Sequence, residues 1–259
     1  MKHGYLRTSR RAPVYRHNEA STENLRIIPK IIHQTASTKL LSPEENRLRR
    51  RVNRLMPDWQ MRLWDDTENL DLMERHFPQF AARFKNIRLG IVKADIARCL
   101  YMHVYGGVYL DTDYKLLQPI SEELLLNECV LPASRDADPS SPGFRVGNAA
   151  LASEPGHKLW ECFLTDIFAN ANLEDLPENL VEKVTGPEGL TECFLRHREC
   201  HPRVHIPEKR FFHPQITWLG LSYDRHCRSY GAHLCWGSWR SRGLLSKAKI
   251  LFARKLSSF

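Results

Sequence analysis

No stretch of this 259-residue chain approaches the roughly 18–20 apolar residues that a membrane-spanning helix needs. The first sixteen residues are basic and polar and lack an apolar h-region, so no secretory signal is read there. The seven cysteines are odd in number and lack framework spacing, which favours a reduced, cytoplasmic setting. Acidic residues are missing from both ends. Residues 1–16 carry five Lys or Arg and no acid, and residues 241–259 again carry five and none. The formal net charge of +8 is therefore concentrated at the termini, and the middle of the chain is net acidic. No internal repeat or low-complexity segment interrupts it.

What is present suits a globular enzyme. Apolar residues make up 42% of the chain, and strand-like and helix-like segments are mixed, as in an α/β domain. A first strand is expected over 25–34 and a second over 59–64. Ser42-Pro43-Glu44-Glu45 predicts a helix start, with Ser42 as cap and Glu45 closing a capping box. Further helices are expected over 67–76, 156–170 and 187–197, and further strands over 128–132 and 145–151.

The most informative residues are Asp111-Thr112-Asp113. They follow Gly106-Gly107 and the short β run Val108-Tyr109-Leu110. The glycine pair allows a tight turn out of a helix, and the β run carries the two carboxylates to a strand end, where α/β folds bind ligands. Two carboxylates at i and i+2 on an extended segment project to one side and suit a hard divalent cation that binds nucleotide phosphates. The preceding segment, 89–105, is apolar nearly all round and reads as a buried helix, yet it carries Asp95 and Arg98 on one face. Charges on a buried helix form an internal ion pair or face a polar ligand such as a sugar.

Asp95-Ile96-Ala97-Arg98, Tyr101 and Gly106 to Asp113 together resemble the core signature of the sugar-binding DXD glycosyltransferases. These are the relatives of the yeast initiating α-1,6-mannosyltransferase, the α-1,4-galactosyltransferases and bacterial capsule and lipopolysaccharide enzymes, similar to glycosyltransferase family 32. Ile28 to Thr35 and Asp58 to Asp66 resemble the family's first two strands. Gly147-Asn148-Ala149, Thr185-Gly186-Pro187 and His233 to Trp239 are similar to its later motifs. The resemblance implies a GT-A fold, a mostly parallel mixed sheet flanked by helices, and retaining transfer from a UDP- or GDP-sugar with Mn²⁺ or Mg²⁺. By position it implies that Asp111, Asp113 and His233 hold the metal and that Asp95, Arg98 and Asp113 are catalytic. His33, Gln34, Asp95, Arg98, Asp111, Asn148, Ser238 and Trp239 would bind substrate. Many relatives carry an aromatic soon after the His-Gln pair. Here Ala36-Ser37-Thr38 follows, so no base-stacking residue is assigned. No nucleophile for retention stands out, and front-face attack needs none.

Three further features bear on partners. Residues 241–259 place five basic side chains beside an apolar stripe at near-helical spacing. This is the pattern of an interfacial amphipathic helix on an anionic membrane, or of a terminal helix packed on its own domain. The organisation expected is a basic arm (1–24), a catalytic domain (25–240) and this tail. Cys193, His197, Cys200 and His201 match no standard zinc spacing and read as packing and surface residues. The acceptor expected is a saccharide or glycolipid, with no nucleic acid. The rival functions are a metal-dependent phosphotransferase or nuclease, which paired aspartates also serve, and a non-catalytic carbohydrate- or membrane-binding module.

Overall fold

The computed structural model describes residues 27–201, 203–214 and 228–237. The expected basic arm (1–24) and tail (241–259), together with Ser238 and Trp239, lie outside these residues. The described chain forms a mixed six-stranded sheet, a separate two-stranded sheet and flanking helices. This is the α/β architecture that the sequence predicts.

Three parallel strands form one half of the main sheet: β1 (Ile31–Thr35), β2 (Gln60–Trp64) and β3 (Gly107–Leu110). The strand β6 (Ala150–Ser153) then runs antiparallel to β3, followed by β5 (Cys129–Val130) and β7 (Val204–His205). The order is β2-β1-β3-β6-β5-β7, and three of its five ladders are parallel. The centre of the sheet is buried from both sides, which is why β3 and β6 lack polar alternation.

Helix α1 (Pro43–Leu55) starts at the expected capping box: Ser42 accepts from the Glu45 N–H while Glu45 accepts from the Ser42 N–H. A second capping box, Asp65 with Glu68, starts α2 (Asp66–His76). Helix α3 (Pro78–Asn86) was not expected from the sequence. It follows α2 with only Phe77 between them and has no side-chain cap to announce it. Helix α4 (Gly90–Val104) is the predicted buried helix, with nine consecutive or near-consecutive buried positions from Val92 to Met102 that include Asp95 and Arg98. It packs on β1 and β3 and against α5 (Lys158–Phe168). Helix α6 (Val181–Val184) leads into α7 (Pro187–His197), whose bounds match the prediction. A short helix, α8 (Lys209–Phe212), carries Phe212 into the core.

The glycine pair makes the connection from α4 to β3. Gly106 and Gly107 have φ of 62° and 93°. A Cβ on Gly106 would lie 2.6 Å from Pro155 N, and one on Gly107 would lie 2.6 Å from Ile31 O. Both the backbone conformation and the space demand glycine.

Two segments differ from the sequence expectation. Residues 145–149 form no strand of the sheet, which begins at Ala150; instead Val146 makes an isolated bridge to Ala133, and the Ala149 carbonyl accepts the Asp111 N–H. Asp111 to Asp113 are also not extended. They form a tight turn, closed by the Tyr114 N–H on the Asp111 carbonyl at 3.0 Å, between β3 and β4 (Tyr114–Leu116). Strand β4 leaves the main sheet and pairs antiparallel with β8 (Gly231–His233), with Tyr114 opposite His233.

Candidate metal and sugar site

The turn between β3 and β4 places both carboxylates beside His233, and each carboxylate is divided in the same way. Asp111 accepts the Tyr109 hydroxyl at 2.7 Å and Arg98 Nη2 at 3.2 Å on Oδ1, leaving Oδ2 at 3.6 Å from His233 Nε2. Asp113 accepts the Trp236 N–H at 2.8 Å on Oδ2, leaving Oδ1 at 3.1 Å from the same nitrogen. One oxygen of each aspartate is thus fixed by the protein, and the other faces a shared point with the imidazole. Ligand atoms of all three residues lie within 4.8 Å of one another. Two carboxylates and an imidazole suit Mn²⁺ or Mg²⁺ with further positions for phosphate oxygens, so the residues present fit the cation that the sequence implied.

The electrostatics agree with a cation site. Burial disfavours a charge on His233, but the facing Asp113 carboxylate overrides it and raises its pKa well above the usual value. The same pair, against the cost of burial, holds Asp113 below the usual carboxylate range. A proton on His233 and a divalent cation would occupy the same electrostatic niche, so a bound cation would take the place of that proton.

Behind the turn lies a second charged layer. Asp95 and Arg98 are both buried, and Arg98 Nη2 contacts Asp95 Oδ1 at 3.1 Å and Asp111 Oδ1 at 3.2 Å. Arg98 thereby joins the helix pair to the Asp111–Asp113 turn. Its Nη1 donates to the Asn148 carbonyl at 2.6 Å, and its guanidinium lies 4.8 Å over the Tyr109 ring. Asp95 also accepts Asn148 Nδ2 at 3.0 Å and the Thr185 hydroxyl at 2.8 Å. Burial pushes the Asp95 pKa up to about 6, with Arg98, Thr185 and Asn148 pulling it back. Arg98 stays charged: burial works against it, and Tyr109, Asp111 and Asp95 more than offset this.

The structure therefore brings Asp95, Arg98, Asp111, Asp113, Asn148 and His233 together. It places His33 and Gln34 beneath them. His33 is fully buried, its Nε2 donating to the Gly106 carbonyl at 2.9 Å and its Nδ1 accepting Trp64 Nε1–H at 3.0 Å. Gln34 is also buried; it donates to the Asp111 carbonyl at 3.4 Å and accepts Arg49 Nη1 at 2.8 Å. Both hold the glycine pair and the turn in place from below. Ser238 and Trp239 fall outside the described residues. Trp236 is buried and contributes its backbone N–H.

Several participants were not singled out as site residues from the sequence. Thr185 appeared only as part of a late motif, and its contact with Asp95 spans 90 positions. Tyr109 reads as an ordinary core aromatic in a β run. Glu45 reads as half of a capping box, which it is, but its other oxygen accepts the Thr112 hydroxyl at 2.9 Å and ties α1 to the turn.

Known proteins resemble this chain over much of its length. Residues 42–131 match the family described as glycosyltransferase sugar-binding region containing DXD motif. This central region of the chain carries the signature of that family. Mannosyl phosphorylinositol ceramide synthase SUR1 of Saccharomyces cerevisiae is 35% identical over 230 residues, covering 88% of this chain and 54% of that protein. Inositol phosphoceramide mannosyltransferase 2 of Schizosaccharomyces pombe is 27% identical over 176 residues, covering 68% of this chain and 49% of that protein. The chain thus spans about half the length of these curated relatives. Among solved structures, the PaToxG glycosyltransferase aligns with a TM-score of 0.47 and 17% identity over 66% of this chain and 69% of its own.

Proposed function

We propose that this chain transfers a hexose, specifically mannose, from a UDP- or GDP-linked donor to the inositol-bearing head group of a phosphoceramide-type glycolipid. The convergence of Asp111 Oδ2, Asp113 Oδ1 and His233 Nε2 beside the Asp95–Arg98 pair carries this reading. The choice of sugar and acceptor comes from the names of the two yeast relatives.

Asp111, Asp113 and His233 would hold Mn²⁺ or Mg²⁺, which neutralises charge on the departing diphosphate. The chain's own residues supply the rest. Tyr109, Arg98 and the Trp236 N–H fix the two carboxylates, so little reorganisation is needed when the donor arrives. Asp95 accepts from sugar hydroxyls, and its bonds to Thr185 and Asn148 orient it for that role. Arg98 lies behind both acids and couples sugar contact to phosphate contact. No side chain is assigned as a nucleophile; the proposal is retention by front-face attack, with the acceptor proton passing to the leaving phosphate.

A glycolipid acceptor lies in a membrane surface. The basic, apolar-striped sequence of residues 241–259 supports peripheral contact with an anionic leaflet, at about 1 kcal/mol per basic residue and screened by salt. The odd number of cysteines without framework spacing supports a reduced, cytoplasmic location.

The test is a transfer assay with the full chain, with Mn²⁺ or Mg²⁺, using GDP-mannose and a panel of UDP-sugars. Inositol phosphoceramide in mixed micelles and free oligosaccharides serve as acceptors. The expected product is the lipid carrying one added hexose in α linkage. Transfer to oligosaccharides alone would overturn the acceptor assignment, and activity unchanged by chelation would overturn the metal assignment.

A further inference from the structure

A second group of metal-binding side chains lies between α5 and α7, away from the DXD turn. The two helices pack antiparallel, as three pairings show: Asp166 with Arg196 at 3.0 Å, Asp166 with Cys193 and His197, and the rings of His157 and His201 at 5.0 Å. Asp166, Cys193 and His197 each offer a ligand atom, and these atoms all lie within 4.8 Å of one another. Cys193 and His197 are four residues apart on α7 and share a face; Cys162 and Asp166 stand in the same relation on α5. Facing i, i+4 pairs on two antiparallel helices are how helical bundles build metal sites in their interiors.

The chemistry differs from that of the DXD turn. One or two thiolates, an imidazole and a carboxylate form a borderline-soft donor set that selects Zn²⁺ over Mg²⁺ or Mn²⁺. Bond lengths of about 2.3 Å to sulfur and about 2.0–2.1 Å to nitrogen or oxygen put neighbouring ligands of tetrahedral zinc roughly 3.3–3.8 Å apart. Asp166 and His197, which are partly exposed, close on the buried Cys193, and Cys162, whose sulfur stands outside the 4.8 Å group, swings in as the fourth donor. Arg196 is placed to hold one oxygen of Asp166 while the other ligates. The pattern was not legible from Cys193, His197, Cys200 and His201 alone, because two of the ligands come from another helix.

We propose that Asp166, Cys193 and His197, with Cys162 as fourth ligand, form a structural zinc site that clamps α5 to α7. The clamp also reaches the sugar site indirectly. Helix α7 begins just after Thr185-Gly186, and Thr185 holds Asp95, so fixing the far end of α7 steadies that contact.

Cobalt titration of the freshly reduced full chain tests this, because thiolate ligation gives an intense near-ultraviolet charge-transfer band that oxygen and nitrogen ligands lack. Cys235 lies 3.4 Å from His233 at the DXD turn and is the control. The expected result is one thiolate-ligated cobalt per chain, beside any cobalt held by Asp111, Asp113 and His233, with a band that survives Cys235→Ser and Asp113→Asn, disappears in Cys193→Ser and weakens in Cys162→Ser. His197→Gln replaces a partly exposed side chain and should fold, with cobalt affinity at this site falling at least tenfold. Zinc should raise the melting temperature of the parent chain more than that of His197→Gln. Absence of the band, or a band lost in Cys235→Ser but kept in Cys193→Ser and His197→Gln, would overturn the proposal. So would a thiol count falling by two on air oxidation in the parent but not in Cys162→Ser, with no cobalt band on re-reduction, which would mark a disulfide pair instead.

Discussion

Oδ1 of Asp113 faces His233 Nε2 at 3.1 Å while its Oδ2 is fixed by the Trp236 N–H, across 123 positions of sequence. The residue is therefore oriented before any ligand arrives. Asp113→Asn should keep the Trp236 contact through its amide oxygen and lose the anionic ligand atom. The expectation is at least a hundredfold loss of transfer with circular dichroism unchanged. Mn²⁺ should raise the melting temperature of the parent and not of the variant. Full activity in the folded variant would show that this aspartate does not hold the cation.

The Asp95–Arg98 pair predicts an asymmetry between two substitutions. Burial already moves Asp95 toward its neutral form, so Asp95→Asn should be tolerated by the fold. Arg98→Ala leaves two acids, one of them deeply buried, without their shared cation. That loss should cost about 3–5 kcal/mol. Both should lower turnover strongly. Chemical denaturation would decide: equal destabilisation by the two variants would mean that the arginine is not the element that makes the buried acid tolerable.

Thr185→Val tests a contact that no local pattern discloses. It removes the hydroxyl from Asp95 Oδ2 and keeps the shape of the side chain. A buried acceptor left unsatisfied costs about 1–3 kcal/mol. The expected signature is a larger loss of turnover than the loss of stability alone explains, at temperatures where the variant is fully folded. Unchanged turnover with unchanged donor affinity would confine Thr185 to packing.

The legible and illegible parts of this site differ in kind. The capping box, the buried helix carrying Asp95 and Arg98, and the glycine pair leading to the acids are local patterns, and each appears where it was expected. What joins them is not local. Strand β8 brings His233 to Tyr114 by pairing outside the main sheet, and a three-residue strand of Gly231, Ala232 and His233 has no periodicity to display. His33 and Gln34 were placed among the substrate-binding residues by resemblance alone. Their burial depends on β1 lying between β2 and β3, a fact of sheet order rather than of pattern.

Gly147 makes a prediction from space rather than conformation. A Cβ there would lie 2.2 Å from His213 Nε2, on a ring that is itself buried. The ring must move for alanine to fit. Gly147→Ala should therefore destabilise by about 1–3 kcal/mol through overpacking. It should also displace the adjacent Asn148, whose side chain and carbonyl serve Asp95 and Arg98. Gly147→Ala combined with His213→Ala should recover part of the stability. A double variant no better than the single one would place the strain elsewhere.

The buried histidines predict how stability responds to acid. Burial lowers the pKa of His33 to about 4, helped by nearby Arg62 and opposed by its bond to the Gly106 carbonyl. In the fold it is a neutral ring, donating through Nε2 and accepting through Nδ1. The unfolded chain binds a proton on this histidine near pH 6.5. Its contribution to stability is thus fully present above pH 6.5 and is lost as pH falls toward about 4, at about 1.4 kcal/mol per pH unit and roughly 3 kcal/mol in all. His213, lowered by burial to about 3, acts with the same sign. Asp95 acts against them, because a carboxyl raised to about 6 gains stability from protonation between pH 6 and its unfolded value. Denaturant midpoints at pH 7.5 and pH 5, at constant ionic strength and without added metal, should fall for the parent chain. His33→Asn loses part of the hydrogen bonding and is less stable at pH 7.5, but its midpoint should fall less between the two pH values. If parent and variant lose the same amount, His33 is protonated in the fold and the neutral, doubly bonded ring described here is wrong.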